Sequence, residues 1–262
     1  MVLPVHDANP TRRFPLVTYL LICLNVIAFV LSPVATHVVG SSEVQQQCRQ
    51  IAFFDEYAAK PHELLTNHQD PPTRILNSDH QDICPVPSYK KTPFLSVLWA
   101  MFLHGGWLHL LGNMLFLYVF GNNVEDRLGR LRYLAFYLGC GYVATYGFSL
   151  FSSSSDQPLV GASGAIAGVL GAYLVLFPRA KVLSLLTFFF FLPVRLPAWL
   201  VLGSWFLLQY LYFQRAGIAA GSGVAYGAHV IGFALGAALV WPLRGSAQPR
   251  RLQPKWGPYS RR

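Results

Sequence analysis

Six long apolar stretches divide the chain. They cover approximately residues 14–31, 107–124, 131–151, 161–177, 197–214 and 225–243. A helix needs about 20 mostly apolar residues to cross the hydrocarbon core of a bilayer, with a working range of about 17–25. The pattern therefore predicts an all-α, polytopic membrane protein built as a six-helix transmembrane bundle.

A further apolar stretch, 182–196, is interrupted by Pro193 and Arg195. It is a candidate seventh span, but we expect it to lie at the membrane interface before the fifth. With the N-terminus in the cytoplasm, six spans place 14 of the 20 Lys and Arg residues on the cytoplasmic side, as the positive-inside rule favours. A seventh span would carry the basic C-terminal tail to the outer side.

Three polar regions flank or separate the apolar stretches: the N-terminus, one long loop and the C-terminal tail. We expect residues 1–13 to be a cytoplasmic N-terminus, 14–243 the membrane domain, and 244–262 a basic cytoplasmic tail. The long outer loop, 32–106, is rich in His, Asp, Gln and Pro, which predicts irregular structure with short helices. The first apolar stretch is long for a signal peptide and precedes no small-residue cleavage site, so it is expected to be a retained span.

The amino-acid composition excludes several classes of protein. Apolar residues make up 53% of the chain and charged residues 12%, against roughly 25% charged residues in a soluble domain. These values exclude a disordered chain and a disulfide-dense secreted scaffold. A net charge of +9 leaves nucleic-acid binding as an alternative. The cytoplasmic bias of the basic residues explains the charge better, and we expect contact with anionic membrane lipid and no nucleic-acid partner.

Four polar side chains interrupt the predicted spans near their outer ends. They are His109 and Asn113 in the second span, Ser163 in the fourth and His229 in the sixth. Even-numbered spans enter from the outer face, and at about 1.5 Å per residue both histidines and the serine lie within roughly 8 Å of that end. A polar group within a span is costly unless it is paired, and is a candidate for function. The four side chains are therefore predicted to meet in one layer.

Small residues favour close packing of the fourth and sixth spans. Ala167 and Gly171 follow Ser163 at intervals of four, and Gly232 and Gly236 share the face of His229. Such stripes let transmembrane helices approach closely. Packing the two faces together would place a serine hydroxyl beside an imidazole, the arrangement that activates a serine nucleophile.

The chemistry that this arrangement predicts is acyl transfer. Neutral His229 can take the Ser163 proton and later give it to a leaving amine. The acidic pair Glu125 and Asp126 lies at the cytoplasmic end of the second span, so we expect a Ser–His dyad and no acidic third member. His109, Asn113 and the Ser163 backbone N–H are candidate donors to the oxyanion.

Three runs that carry these residues resemble the rhomboid family of intramembrane serine proteases. They are HGGWLHLLGNMLFLYVFGNNVEDRLG (104–129), GASGAIAGVLGAYL (161–174) and GAHVIGFALG (227–236). The resemblance implies that Ser163 is the nucleophile, His229 the base, and His109 and Asn113 part of the oxyanion hole. It further implies single-span membrane protein substrates, a gate around the fifth span, and neither metal nor cofactor.

One departure from the family pattern concerns the surroundings of the base. Many rhomboid proteases carry an aromatic residue four positions after the serine, where this chain has Ala167. We expect an open gap beside His229, unless Tyr226 or Phe233 fills it. Whether the base is held by another side chain depends on the tertiary structure.

The outer loop contains further candidate residues. His62, His68 and His80 match no metal-ligand spacing, and we expect solvated side chains and no metal site. Cys48 and Cys84 are expected to form a disulfide if the loop faces an oxidising compartment, with two free thiols as the alternative.

Two other functions remain alternatives to proteolysis. The first is an inactive rhomboid-like protein that binds membrane clients without cutting them. The second is a proton-coupled transporter, which would predict acids within the spans and a repeat between the halves of the chain. The expected location is a bacterial inner membrane, with both termini in the cytoplasm.

Overall fold

The computed structural model describes residues 2–36, 38, 40–75, 84, 87–186, 192–216 and 224–244. The helices are α1 (Leu16–Val30), α2 (Glu43–Tyr57), α3 (Pro61–Thr66), α4 (Pro93–Ala100), α5 (Trp107–Phe116), α6 (Asn122–Leu128), α7 (Arg130–Phe151), α8 (Ser163–Leu176), α9 (Ala198–Ala216) and α10 (Tyr226–Val240). A π-helical turn, Leu117–Gly121, joins α5 to α6, and a 3-10 turn, Trp241–Leu243, follows α10. The fold is mostly helical.

Each of the six apolar stretches corresponds to helix in the structure. The first is α1, the second is the continuous run from α5 through α6, and the others are α7, α8, α9 and α10. Within the described residues, Arg130–Phe151 and Tyr226–Leu243 have the length and composition of a membrane-crossing helix. Leu16–Val30 and Ser163–Leu176 are shorter apolar helices.

The prediction of an all-α protein is wrong in one respect, because the chain forms a small antiparallel sheet. Its strands are β1 (Val2–Asp7), β2 (Lys181–Leu186) and β3 (Leu192–Pro197), in the order β1-β2-β3. The stretch expected to lie at the interface is thus mainly a pair of strands, and residues 187–191 between them lie outside the described residues. The proline-rich β3 is an edge strand, where missing N–H donors are tolerated. Pairing with the N-terminus could not be read from local pattern, because β1 and β2 are far apart in sequence.

Among the helices that the structure describes, α8 and α10 make the most extensive contact. A Cβ on Gly171 would collide with the carbonyl oxygen of Phe233, and Cβ atoms on Gly232 and Gly236 would collide with the carbonyl oxygens of Gly164 and Gly168. The two backbones therefore touch along the small-residue stripes. This contact holds together the helices that carry Ser163 and His229.

The outer loop is more ordered than its composition predicts. It contains α2, α3 and α4, and a disulfide joins Cys48 of α2 to Cys84, with their Cα atoms 5.1 Å apart. Two buried ion pairs cross the loop: the Lys60 ammonium lies 2.7 Å from the Asp55 carboxylate, and the Lys91 ammonium lies 2.6 Å from that of Glu63. Buried charges of this kind are stable only when paired. The loop is thus a packed layer above the helices.

Candidate active site

Ser163 is the first residue of α8 and follows a constrained turn. Gly161 has φ +113°, a conformation that L side chains rarely adopt, and its N–H donates to the carbonyl oxygen of Ala100 at 2.8 Å. This bond ties the turn to the end of α4. The first N–H groups of a helix have no acceptors within the helix, and they favour negative charge. The nucleophile candidate therefore lies where an oxyanion would be stabilised.

His229, in the first turn of α10, faces the serine. Its Nε2 lies 2.8 Å from Ser163 Oγ, which is hydrogen-bonding distance. The imidazole is buried. The structure thus brings together two side chains that are 66 positions apart in sequence.

His109 presents one ring nitrogen to the same turn. The N–H of Gly105 donates to His109 Nδ1 at 3.4 Å. A neutral imidazole that accepts at Nδ1 carries its proton on Nε2. A Cβ on Gly161 would lie 2.7 Å from His109 Nε2, so this nitrogen lies close to the backbone beside Ser163. His109 therefore remains a candidate oxyanion donor.

Asn113, one turn along α5 from His109, is held by a residue that the sequence analysis did not single out. Its Nδ2 donates to Nε2 of the buried His104 at 2.9 Å. Burial lowers the pKa of His104 to about 4, so its ring is neutral at pH 7 and able to accept. The second Nδ2 hydrogen of Asn113 remains for a ligand. His104 starts the HGGWLH run, but its position outside the predicted span gave no signal.

The base also has a partner that the sequence analysis missed. Gln209 of α9 places Oε1 2.8 Å from His229 Nδ1. An amide therefore occupies the position beside the base that the third member of a triad would take. A glutamine among apolar residues of the fifth span was the available signal.

The space beside the base is flanked by an aromatic residue from a different helix than expected. Trp205 of α9 lies against His229 with ring centroids 5.9 Å apart. Tyr226 meets the imidazole edge-on at 6.3 Å, whereas Phe233 stacks on Phe206. Of the two expected candidates, Tyr226 therefore contacts the imidazole and Phe233 does not, while Trp205 is a further neighbour that was not expected; Ala167 is fully buried.

A cavity of about 70 Å³ opens beside the serine. Its walls include Met101, Pro158, Gly161, Ser163 and Ala228. The lining residues are mostly small, and the surface that they expose is about equally polar and apolar. A cavity of this size can hold a water molecule.

A polar cluster joins the 32–106 loop to the connection between α7 and α8. His62, Asp70 and Asp156 place possible ligand atoms within 4.8 Å of one another. His62 Nδ1 lies 2.7 Å from Asp70 Oδ1, and this hydrogen bond raises the pKa of His62. His68 is not part of the cluster, and His80 lies outside the described residues. The sequence-based expectation of no metal site remains a prediction.

Comparison with protein families decides the identity of the fold. Residues 91–246 match the Rhomboid domain family. This chain belongs to the rhomboid family. The matched region contains every residue of the candidate active site, from His104 to His229, and membership makes the chain a membrane-embedded helical protein.

Known rhomboid proteins similar to this chain come from several kingdoms. Rhomboid protein 1, mitochondrial, from Saccharomyces cerevisiae is 31% identical over 61% of this chain and 45% of its own length. Presenilin-associated rhomboid-like protein A, mitochondrial, from Danio rerio is 34% identical over 35% of this chain and 24% of its own. A Bacillus subtilis protein with the provisional name rhomboid protease YdcA is 40% identical over 28% of this chain and 36% of its own.

These rhomboid relatives bear on size and location. The chain covers less than half of the length of each of the three. Two of them are mitochondrial by name. The comparisons therefore establish a membrane protein but do not favour the bacterial inner membrane expected from the charge pattern.

Proposed function

We propose that this rhomboid protein is an intramembrane serine endopeptidase that cleaves single-span membrane proteins in or near their transmembrane segment. The observation that carries the proposal is the 2.8 Å contact between His229 Nε2 and Ser163 Oγ at the start of α8. The two candidate donors from α5 and the cavity beside the serine support it. Such a constellation is recognised by geometry and roles rather than by fold.

The first half of the reaction forms an acyl-enzyme. Ser163 Oγ attacks the scissile carbonyl carbon while its proton passes to His229 Nε2. The resulting oxyanion accepts hydrogen bonds from His109 Nε2, Asn113 Nδ2 and the Ser163 backbone N–H. The C–N bond then breaks, and the imidazolium gives its proton to the leaving amine.

The second half releases the product and restores the serine. Water gives a proton to His229 Nε2 as its oxygen attacks the ester carbonyl carbon of the acyl-enzyme. The same donors stabilise the second oxyanion. When the C–O bond to Ser163 breaks, the proton returns to Oγ and a free carboxyl product leaves.

The proposed membrane arrangement has six spans, with both termini in the cytoplasm. The helices α1, α5 with α6, α7, α8, α9 and α10 are the six candidates. This arrangement puts Ser163 and His229 near the outer face. Reporter fusions at residue 60 and at residue 250 test it: we expect the first outside and the second inside. The tail, 245–262, lies outside the described residues.

The test of the activity uses purified protein in detergent and a panel of tagged single-span proteins. Wild type should cleave at least one of them and react with a fluorophosphonate probe, whereas Ser163→Ala and His229→Ala should do neither while unfolding at nearly the wild-type temperature. Substrates that co-purify with wild type but stay intact would favour the client-binding alternative. Cleavage that survives in both variants would overturn the assignment of nucleophile and base.

A further inference from the structure

Both ring nitrogens of His229 are occupied, and the partners come from different helices. Nε2 meets Ser163 Oγ of α8, and Nδ1 meets Gln209 Oε1 of α9, each at 2.8 Å. The serine, the imidazole and the glutamine are thus arranged as in a nucleophile–base–orienter relay. Gln209 stands where serine proteases place a carboxylate and papain-like enzymes place an amide.

The amide oxygen determines which nitrogen of the imidazole carries the proton. An amide oxygen only accepts, so the hydrogen in this bond belongs to His229 Nδ1. In the neutral ring the Nε2 atom then has a free lone pair facing the Ser163 hydroxyl. The opposite tautomer would point an N–H at the serine and could not accept its proton. The hydrogen bond from Nδ1 therefore selects the form of the base that can react.

A second residue of α9 restrains the plane of the same ring. Trp205 lies four positions before Gln209, so both side chains project from one face of the helix. Its ring lies at a tilt of 32° to that of His229, with centroids 5.9 Å apart. Phe116 of α5 and Phe233 of α10 lie against the indole, each with centroids 6.1 Å away. The tryptophan is therefore itself held in place.

We propose that Gln209 is a positioning residue for the catalytic base: it fixes the Nδ1–H tautomer of His229, while Trp205 holds the ring plane. The proposal rests on the proposed function, because it assigns a role within that reaction. It makes α9 the source of both restraints, whereas α8 and α10 supply the reacting atoms. A displacement of α9 away from α10 would therefore remove the restraints on the His229 ring while His229 and Ser163 stay in contact.

The test compares Gln209→Leu, which removes the acceptor at similar size, with Gln209→Glu, which keeps an acceptor in place. Gln214→Leu is the matched control, since Gln214 lies on the same helix, is exposed, and bonds to the Tyr210 hydroxyl. We expect Gln209→Leu to lower kcat about 10- to 100-fold with KM nearly unchanged, less than the ~10⁴-fold loss when a triad carboxylate is replaced. The control variant Gln214→Leu should have the kcat and KM of wild type.

The glutamate variant separates positioning from simple packing. Gln209→Glu should retain most of the activity, and the acid limb of its kcat–pH profile should move to higher pH, because a carboxylate stabilises the protonated imidazole. Wild-type kcat and pH profile in Gln209→Leu would overturn the proposal. Equal loss in both variants, with an unmoved pH profile and a lower unfolding temperature, would also overturn it in favour of a structural role.

A spectroscopic measurement keeps the outcome separate from the proposed protease activity. In protein labelled with ¹⁵N-histidine at pH 8, the His229 signals are identified by their loss in His229→Ala. We expect protonated Nδ1 and unprotonated Nε2 in wild type, and a mixture of tautomers in Gln209→Leu. Failure of the wild-type protein to cleave any substrate would contradict the proposed function. If His229 in Gln209→Leu keeps the same single tautomer as in wild type, the proposed role of Gln209 is wrong.

Discussion

Thr18 and Glu125 are joined by two hydrogen bonds at the start of α1. The backbone N–H and the hydroxyl of Thr18 both donate to Glu125 Oε2 at 2.8 Å, and the N–H of Val17 donates to Oε1 at 3.0 Å. One carboxylate thus caps the start of α1 from a distant part of the chain. Negative charge at a helix N-terminus is favourable.

Removal of this cap should destabilise the fold without touching the reacting atoms. Glu125→Ala leaves buried donors without an acceptor, at a cost of about 1–3 kcal/mol for each group left unsatisfied. Asp126→Ala is the control, because Asp126 accepts from Arg12 and Arg13 N–H groups in exposed positions. Thermal unfolding in detergent should show a clear loss for the first variant and a small one for the second. Equal losses would contradict the capping role.

The oxyanion donors should affect turnover more than binding. Asn113→Ala removes one of three candidate donors, and we expect kcat to fall about 10- to 100-fold with little change in KM. Asn25→Ala is the control: that amide is also buried but bonds only to the carbonyl oxygen of Leu21 among the contacts described for it. Steady-state cleavage of one substrate by both variants gives the comparison. Unchanged kcat in Asn113→Ala would remove this side chain from the oxyanion site.

The contact of α8 with α10 should not tolerate a methyl group. A Cβ on Gly236 would collide with the backbone of Gly168, which cannot move aside as a side chain would. We expect Gly236→Ala to cost about 1–3 kcal/mol or more through overpacking and to reduce cleavage by pulling His229 from Ser163. Gly139→Ala in α7 is the control, because its Cβ would meet open space. Thermal unfolding of both variants distinguishes packing from helix propensity.

The carboxyl of Asp7 should make stability depend on pH. It accepts from Asn123 Nδ2 at 2.6 Å, and burial raises the pKa of Asp7 to about 6. Because the folded state holds the proton more tightly than the unfolded state, this contribution to stability is complete below about pH 4 and is lost as pH rises through about 6. The loss for this one group is of the order of 3 kcal/mol.

Asp7→Asn should remove that dependence. We expect the variant to gain stability relative to wild type between pH 5 and pH 7.5, as measured by unfolding temperatures at both values. Other titrating groups cancel in the difference between the two proteins. Parallel pH profiles would contradict the role of Asp7.

The fully buried Ala167 should not accept an aromatic ring. Since Trp205 already flanks the imidazole, Ala167→Phe is expected to cost about 1–3 kcal/mol by overpacking and to lower activity. Trp205→Ala should recover part of the loss when combined with it. If the effects of the two single substitutions on stability and activity simply add in the double variant, positions 167 and 205 do not share the same space.

The sequence by itself determined the helices and the side chains of the candidate site. Runs of about 20 apolar residues predict helices whatever surrounds them, because the hydrogen bonds of a helix are local. His109, Asn113, Ser163 and His229 are visible because polar groups in apolar stretches are costly. The small-residue stripes indicated which two helices approach.

Only the tertiary structure decided what joins distant parts of the chain. The pairing of β1 with β2, the cap that Glu125 gives α1, and the contacts of Gln209 and Trp205 with His229 link residues separated by 20 to more than 100 positions. The local pattern of apolar and polar residues does not predict such contacts, because hydrogen bonds and ring contacts between helices depend on where the helices cross. A glutamine in an apolar helix indicates that its amide has a hydrogen-bond partner on another element. Only the fold reveals which residue that partner is.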